Sequence, residues 1–391
     1  MTLLPSLCLI TKNIGLIIAG LVGFSFIIGF HELGHFLFCK LFGVRTPSFS
    51  IGFGPKLMSK KLGETEFSVS AIPFGGYVEI AGASEVGQGE QKDAYAQDAG
   101  SFAIKPWYQK ALILLGGIIF NLAFAYMAVC LVFLTGAPKG NFLYPLNASS
   151  RVASVEPESP AAHSGIKAGD TLLEINGVII PNDNSERHAE SIATALKYVR
   201  EHPSNQIDIM IEREGSRTQV PLVIGTKDVM GSPLGYLGVG FVPQDLPPFS
   251  LIQAIKQGIT VTNGWIVMTI SAFRHLFASR DTSQLGGPIS ILSAISMSAG
   301  QGIKIFLLLL ALISVNLAIL NLIPIPILDG GQLVFYTIEA LAGRQLPIKV
   351  KEYIHIACWV AFLALIVILS AKDLGRMLAP YIDHLRALLG K

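Results

Sequence analysis

The stretch IGLIIAGLVGFSFIIGFHELGH, residues 14–35, is the most informative part of this sequence, because an apolar run leads directly into a group of ionisable residues. A helix needs about 20 predominantly apolar residues to cross the hydrocarbon core of a bilayer. Ionisable groups at that depth are energetically costly and mark functional sites by default. The stretch therefore predicts a membrane-spanning helix that carries a functional site near its end.

The pentapeptide HELGH places His31 and His35 four residues apart. On a helix, residues with that spacing project from the same face, so both imidazoles can bind one zinc ion. Glu32 is suited to act as a general base toward water rather than as a ligand. The alternative is a chance match to HExxH at a polar helix end.

A catalytic zinc ion needs three protein ligands and one open position. The third ligand should come from another membrane segment, and Asp329 in NLIPIPILDGG, residues 321–331, is the candidate. Pro324 and Pro326 break the helix before it, and a kink that turns Asp329 toward a metal gives a reason for the lost backbone bonds. The simpler alternative is that Asp329 caps a following helix.

The composition is that of an integral membrane protein. Hydrophobic residues make up 51% of the chain and charged residues 14%, whereas a soluble domain carries about 25% charged residues. A net charge of +2 without a Lys/Arg-rich tract argues against a nucleic-acid partner. The four cysteines form no CxxC pair, so they predict neither a disulfide framework nor a thiolate zinc site. The first apolar segment lacks the features of a cleaved signal peptide and is expected to be a retained helix.

The hydropathy pattern predicts a polytopic α-helical membrane protein with four transmembrane helices, a membrane-associated β-loop and an inserted α+β domain. Residues 259–277 are too polar for a lipid-facing helix and are expected at the interface, with a fifth span as the alternative. The predicted segments are 1–43 (first span, with HELGH), 44–106 (β-loop and cytoplasmic loop), 107–136 (second span), 147–242 (inserted domain), 247–300 (interfacial helices), 303–331 (third span, with LDG) and 353–372 (fourth span).

Residues 47–80 have the composition of strands, because β-branched and aromatic residues alternate with small ones between glycines and prolines. An edge of this β-loop could pair with the backbone of an extended substrate. Gly75 and Gly76 would permit a close approach and are predicted to bind substrate.

Basic residues are frequent in the first loop and in the loop after the third span, and examples are Lys56, Lys60, Lys61, Arg344 and Lys351. By the positive-inside rule both loops are cytoplasmic. This arrangement predicts an active site toward the cytoplasmic side of the membrane and an inserted domain on the opposite side.

HELGH and NLIPIPILDG on separate spans resemble the motifs of the site-2 protease family of intramembrane zinc proteases. SPAAHSGIKAGDTLLEINGV, residues 159–178, resembles part of a PDZ domain. The arrangement is similar to the bacterial regulator-of-sigma-E protease branch, although this chain has one PDZ-like unit where many relatives have two. The resemblance implies that His31, His35 and Asp329 bind Zn²⁺ and that Glu32 is the catalytic base.

The resemblance also implies substrate-binding residues. Asn316 and Asn321 match asparagines that hold an unwound substrate, with hydrogen bonding between helices as the alternative role. Asn121 matches the last position of a GPxxN pattern in the second span, although Ile118 replaces its proline. All three asparagines are therefore predicted substrate contacts.

The expected function is hydrolysis of peptide bonds within or near the membrane segment of single-span membrane proteins already trimmed by another protease. Such regulated intramembrane proteolysis in a bacterial inner membrane would act on substrates such as an anti-sigma factor or remnant signal peptides. Two alternatives stay open: a catalytically inactive PDZ scaffold and an ion-coupled transporter. The intact HELGH and LDG motifs disfavour the first, and the lack of an inverted repeat disfavours the second.

Overall fold

The computed structural model describes residues 3–83, 93, 96–183, 185–229, 232–279 and 286–388. The chain divides into two compact units, of which the first contains Met1–Tyr126 and Asp281–Lys391 and the second contains Met127–Arg280. The helices of the described residues are α1 (Leu3–Leu41), α2 (Trp107–Leu134), α3 (Pro160–His163), α4 (Glu186–Glu201), α5 (Leu251–Ser279), α6 (Pro288–Gly300), α7 (Ile303–Leu322), α8 (Asp329–Ala342) and α9 (Ile348–Leu388).

Four stretches of the described helices are long and apolar enough to cross a membrane: Ile14–Leu41, Trp107–Leu134, Ile303–Leu322 and Lys349–Ala379. The predicted number of four spans is therefore confirmed. Residues 259–277 lie within α5, which is not one of the four. The expected fold class, a polytopic helical membrane protein with a β-loop and an inserted α+β domain, is confirmed as well.

The β-loop of the first unit is an antiparallel hairpin of β1 (Ser48–Leu62) and β2 (Thr65–Val78). Its register shifts, so that Phe49 pairs with Phe67 on one side and with Val78 on the other. The beginning of β1 therefore lies between the two ends of β2, and the last residues of β2 form an edge. Ser25 of α1 fastens this part of the loop, because its Oγ donates to the carbonyl of Pro73 at 2.5 Å.

Helices α1 and α2 cross in backbone contact at two glycines. A Cβ atom built on Gly34 would overlap the carbonyl group of Gly116, and one built on Gly116 would lie 2.8 Å from the carbonyl oxygen of Gly34. A larger side chain at either position would push the helices apart. This crossing brings α2 against the part of α1 that carries HELGH.

Helix α9 is hydrogen-bonded to the first residues of α6. The side chain of Asp373 is 1% exposed and accepts hydrogen bonds from the backbone N–H groups of Gly287, at 3.1 Å, and Ser290, at 2.8 Å. The carboxylate thus satisfies N–H groups that a helix start leaves without partners. The predicted fourth span, 353–372, lies inside this longer helix.

The second unit contains a sheet with the order β10-β3-β4-β6-β7, in which β5 pairs with β4, and a separate pair of β8 and β9. The strands are β3 (Ala148–Val155), β4 (Thr171–Ile175), β5 (Val178–Ile179), β6 (Gln206–Arg213), β7 (Ser216–Val223), β8 (Gly225–Val229), β9 (Ser232–Tyr236) and β10 (Val239–Pro243). Helix α4 contributes Ile192, Ala195 and Val199 to a core shared with these strands. The inserted residues therefore form the α+β domain expected from their sequence.

Candidate metal centre

Three side chains from two helices of the first unit converge on one point. His31 and His35 of α1 are 7% and 6% exposed, and their Nε2 atoms lie 3.2 Å apart. Asp329, the first residue of α8, places Oδ2 at 3.3 Å from Nε2 of His31 and Oδ1 at 3.5 Å from Nε2 of His35. In the described part of the chain these three residues form a group able to hold a metal ion.

The donor atoms fit zinc. Tetrahedral zinc with bonds of about 2.0–2.1 Å has ligand atoms about 3.3 Å from one another. The two Nε2 atoms are 3.2 Å apart, and each has one oxygen of Asp329 nearby, Oδ2 at 3.3 Å from His31 and Oδ1 at 3.5 Å from His35. Oδ2 of Asp329 is buried without a hydrogen bond among the described residues. A buried carboxylate oxygen without a partner is costly, and a bound cation would remove that cost.

The second nitrogen of each histidine ring also has a partner. Nδ1 of His35 lies 2.8 Å from the carbonyl oxygen of Ile113 and donates to it, which leaves the lone pair of Nε2 for a metal. Asn121 is fully buried, and Nδ2 of its amide lies 3.1 Å from Nδ1 of His31, while its Oδ1 has no hydrogen bond among the described residues. With the amide turned so that its oxygen faces the ring, Nδ1–H of His31 donates in the same way.

Gly117 of α2 lies directly against both rings. A Cβ atom at this position would overlap Cε1 of His31 and come within 2.5 Å of Nε2 of His35. The sequence analysis placed Gly117 at the first position of the GPxxN-like pattern that ends at Asn121 but assigned it no role in the site.

Glu32 lies beside the three candidate ligands and is not one of them. It is half-buried, and its Oε2 accepts a hydrogen bond of 3.1 Å from the backbone N–H of Val78 at the edge of β2. This N–H group therefore points to the glutamate and not to β1. A carboxylate held next to a metal site in this way can accept a proton from water.

A cavity of about 260 Å³ opens beside these groups. Its lining includes the three candidate ligands and Glu32, together with Ile28, Val78, Ile80, Leu114, Leu317, Asn321, Ile327, Leu328 and Gln332. Gln332, one turn after Asp329, is a polar lining residue that the sequence analysis missed. Its spacing of three residues from Asp329 could have predicted it, because residues with that spacing lie on the same face of a helix.

The predicted substrate-binding residues lie in different places. Asn321 lines the cavity, and its Nδ2 is 3.3 Å from Nε2 of His31. Asn316 is half-buried on α7 and is not among the residues that line the cavity. Asn121 contacts His31 from the side of α2. The substrate-binding role of all three residues stays a prediction.

The two glycines of β2 also differ. A Cβ atom on Gly76 would lie 3.6 Å from Cγ of Glu32, so this backbone passes close to the predicted catalytic base. Gly75 has a φ of 114°, which favours glycine, and a Cβ atom there would overlap the ring of Phe53. Gly75 therefore shapes the bend of the strand, whereas Gly76 lies next to the site.

Comparison with known proteins gives matches over nearly the whole chain. The family model described as peptidase family M50 matches residues 19–366. A Clostridium perfringens protein named as a zinc metalloprotease is 30% identical over 363 residues, which cover 92% of this chain and 98% of that protein. The zinc metalloprotease RasP of Geobacillus kaustophilus is 26% identical over 431 aligned residues, covering 92% of this chain and 98% of that protein.

A solved PDZ domain, from the SdrC-like protein of Listeria monocytogenes, is also similar to part of the chain. It is 21% identical with a TM-score of 0.19, and the match covers 24% of this chain and 88% of that domain. A TM-score this low does not establish that the insert and that domain have the same fold.

Proposed function

The chain belongs to peptidase family M50, and from this premise we propose that it is an intramembrane zinc metalloendopeptidase that cleaves single-span membrane proteins within or near their transmembrane segment. The observation that carries the proposal is the convergence of His31, His35 and Asp329 beside Glu32. Two of the ligands and the glutamate lie on a helix long and apolar enough to cross a membrane. An active site on such a helix suits a substrate that is itself in the bilayer.

His31, His35 and Asp329 would hold the zinc ion. When bound there, zinc supplies Lewis-acid chemistry that polarises the scissile carbonyl and makes water more acidic. Glu32 takes a proton from the attacking water on its carboxylate and returns it to the leaving amine. The N–H of Val78 orients that carboxylate, and the amide of Asn321 faces the same space.

The edge of β2 is the proposed place for the substrate backbone. The peptide groups of a membrane helix are all hydrogen-bonded internally, so the helix must be unwound before it can be cut. An unwound segment could add to the edge as an extra strand. Because residue 76 is a glycine, no side chain projects from this part of the strand next to Glu32. Asn321 could bind a carbonyl group freed by unwinding.

We also propose a location, an orientation and substrate classes for the protein. We place the protein in a bacterial inner membrane, with the metal centre toward the cytoplasmic side, on the basis of the Lys/Arg distribution in its loops. The insert would then face the other side and select substrates already trimmed by another protease. An anti-sigma factor and remnant signal peptides are the proposed substrate classes. An inactive scaffold or a transporter would not need a complete ligand set with an adjacent base.

The test compares zinc content and cleavage for the wild type and Glu32→Gln in detergent, with a model single-span substrate. About one zinc per chain is expected in both proteins, with cleavage by the wild type alone, because the ligands stay while the base is lost. His31→Ala should lose both zinc and cleavage.

Glu352→Gln is the matched control, because Glu352 is exposed on α9, and it should behave as the wild type. Cleavage by Glu32→Gln at the wild-type rate would contradict the role of Glu32. A wild-type protein without zinc would contradict the metallopeptidase proposal itself.

A further inference from the structure

A second cavity in the first unit shares no lining residue with the metal centre. It has a volume of about 270 Å³ and lies between the start of α2 and the end of α8. The residues that matter for its chemistry are Trp107, Lys110, Tyr336, Glu339 and Arg344. Three of these five side chains carry a charge, and two of the three are cationic.

The cavity and its rim are positively charged. Nζ of Lys110 and Nζ of Lys351 each lie 5.2 Å from the centre of the Tyr336 ring. The one carboxylate there, Glu339, already binds Lys351 at 2.6 Å and accepts from the backbone N–H of Leu346 at 2.7 Å. With Arg344, three cations face one carboxylate, which leaves a net charge of +2.

Two of the three cations lack a carboxylate of their own. Nζ of Lys110 donates to the carbonyl oxygen of Ala103 at 2.7 Å, and no ion pair joins it to any described residue. Arg344 is exposed and, within the described ranges, makes no ion pair either. Cations gathered in this way attract an anion and can donate several charge-assisted hydrogen bonds to it.

Aromatic residues indicate the depth of the cavity in the membrane. Trp107 begins α2, a helix that can span the bilayer, and Trp107 and Tyr108 are 45% and 54% exposed. Nε1 of Trp107 donates to Oγ1 of Thr337 at 3.0 Å, so the indole joins α2 to α8. Exposed Trp and Tyr at the end of a span are typical of the headgroup level. The cavity is therefore at a depth where phospholipid headgroups lie.

We propose that this cavity binds the phosphate headgroup of an anionic phospholipid, with Lys110, Arg344 and Lys351 as its cationic contacts. Basic pockets between membrane helices on the cytoplasmic side suit such headgroups. A zwitterionic headgroup carries its own cation and fits a net positive cavity less well. Since α8 begins at Asp329 and α2 carries Gly117, a lipid held here bridges two helices that enclose the metal centre.

The test uses Trp107 as the reporter of bound lipid. The chain has three tryptophans, so Trp265→Phe and Trp359→Phe leave Trp107 alone in the full-length protein. The protein is placed in nanodiscs of phosphatidylcholine that contain increasing fractions of phosphatidylglycerol with brominated acyl chains, and fluorescence quenching is measured. Brominated phosphatidylcholine at the same fractions gives the reference. We expect quenching at lower fractions of the anionic lipid.

Charge variants show whether the cavity causes that preference. Lys110→Gln with Arg344→Gln should reduce it by about fivefold for each cation removed, or about 25-fold in all. Lys60→Gln with Lys61→Gln removes the same charge from exposed positions of the β-loop and should leave the preference unchanged. Arg344→Gln alone, at an exposed side chain, gives the same readout if the double variant does not fold.

Three outcomes would overturn the proposal. The first is equal quenching by the two brominated lipids. The second is an equal loss of preference in the control pair, which would mean general attraction to a charged surface. The third is full retention of the preference by Lys110→Gln with Arg344→Gln, because the anionic lipid would then be held elsewhere than in this cavity.

Discussion

At the scale of single residues, the space beside the two histidine rings is filled by the backbone of α2 at Gly117. Gly117→Ala should weaken zinc binding by about 10–100-fold, the range found when groups that orient metal ligands are disturbed. The reason is steric, because the added methyl group overlaps His31 and lies 2.5 Å from Nε2 of His35. The measurement is zinc affinity by competition with a chelator. Gly15→Ala on α1 is the control, since among the described residues no atom beyond the adjacent helix backbone lies within 4 Å of its added Cβ. Equal zinc affinity for both variants would contradict the steric role of Gly117.

Asn121 allows two roles to be separated by one pair of variants. If its amide orients His31, Asn121→Ala should lower zinc affinity by about 10–100-fold, and Asn121→Asp should restore it, because a carboxylate accepts from Nδ1–H. If Asn121 binds substrate instead, zinc affinity should not change in either variant and KM should rise. The measurements are chelator competition and KM for a model substrate. The hydrogen bond to His31 favours the first result.

Some residues of the site could be identified from the sequence, and others could not. The spacing of HELGH and the prolines before LDG point to the four residues that the structure brings together, namely His31, Glu32, His35 and Asp329. The contact of Gly117 with the histidine rings and the hydrogen bond from the N–H of Val78 to Glu32 could not be found in this way. Both depend on which backbone packs against α1, and residue spacing reports contacts only within a single helix or strand.

At the scale of secondary-structure elements, Asp170 joins the turn before β4 to β6. Its carboxylate is 2% exposed and accepts from Nε and Nη2 of Arg213, each at 2.7 Å, and from the N–H of Lys167 at 2.8 Å. Its hydrogen bonds with Arg213 lower the pKa of Asp170 despite its burial, which acts to raise that pKa. Its folded-state pKa is therefore below the value of about 3.9 expected in the unfolded chain.

The pH dependence follows from that direction. The contribution of Asp170 to the stability of the insert is complete above about pH 4 and is lost as the pH falls through the lowered pKa. Asp170→Asn should cost about 1–3 kcal/mol near neutral pH and reduce the loss of stability on acidification. Amide hydrogen exchange of β4 and β6 in the full-length protein, between pH 3 and 7, measures both effects.

Asp208→Asn is the matched control, because Asp208 is exposed on β6. It should keep the wild-type stability and the wild-type acid dependence. An Asp170→Asn protein with the exchange rates of Asp208→Asn would show that the ion pair adds no stability.

The elements themselves were largely predictable, but their pairing was not. Alternating small and β-branched residues indicate the strands of residues 47–80, and the Pro/Gly turns indicate the strands of the insert. Such patterns do not predict that Phe49 pairs with both Phe67 and Val78. It depends on the bends at Gly52, Gly54 and Gly75, whose φ angles are 89°, 84° and 114°.

At the scale of the whole molecule, hydropathy gave the four spans because the cost of burying polar groups in lipid depends on composition more than on packing. It also separated the insert from the membrane segments. Hydropathy did not predict the full length of α9, since that helix continues past the charged residues Lys372 and Asp373. Asp373 lies within the helix, and its carboxylate accepts hydrogen bonds at the start of α6. A charge that marks the end of a span in sequence is here a contact between helices.

The last prediction concerns the insert, residues 147–242. The three ligands and Glu32 all belong to the first unit, so replacing the insert by a Gly/Ser linker should leave zinc content and hydrolysis in place and relax substrate choice. The measurement is the ratio of cleavage rates for a single-span substrate with a short outer segment and for one with a bulky folded outer domain. The wild type should prefer the first, and the deletion should reduce that preference by about tenfold or more, the equivalent of roughly 1.4 kcal/mol. The deletion that also carries Glu32→Gln should cleave neither, which ties the remaining activity to the same site. A deletion protein that is folded, loaded with zinc and wholly inactive would mean that the insert takes part in hydrolysis itself, and a role limited to substrate selection would have to be abandoned.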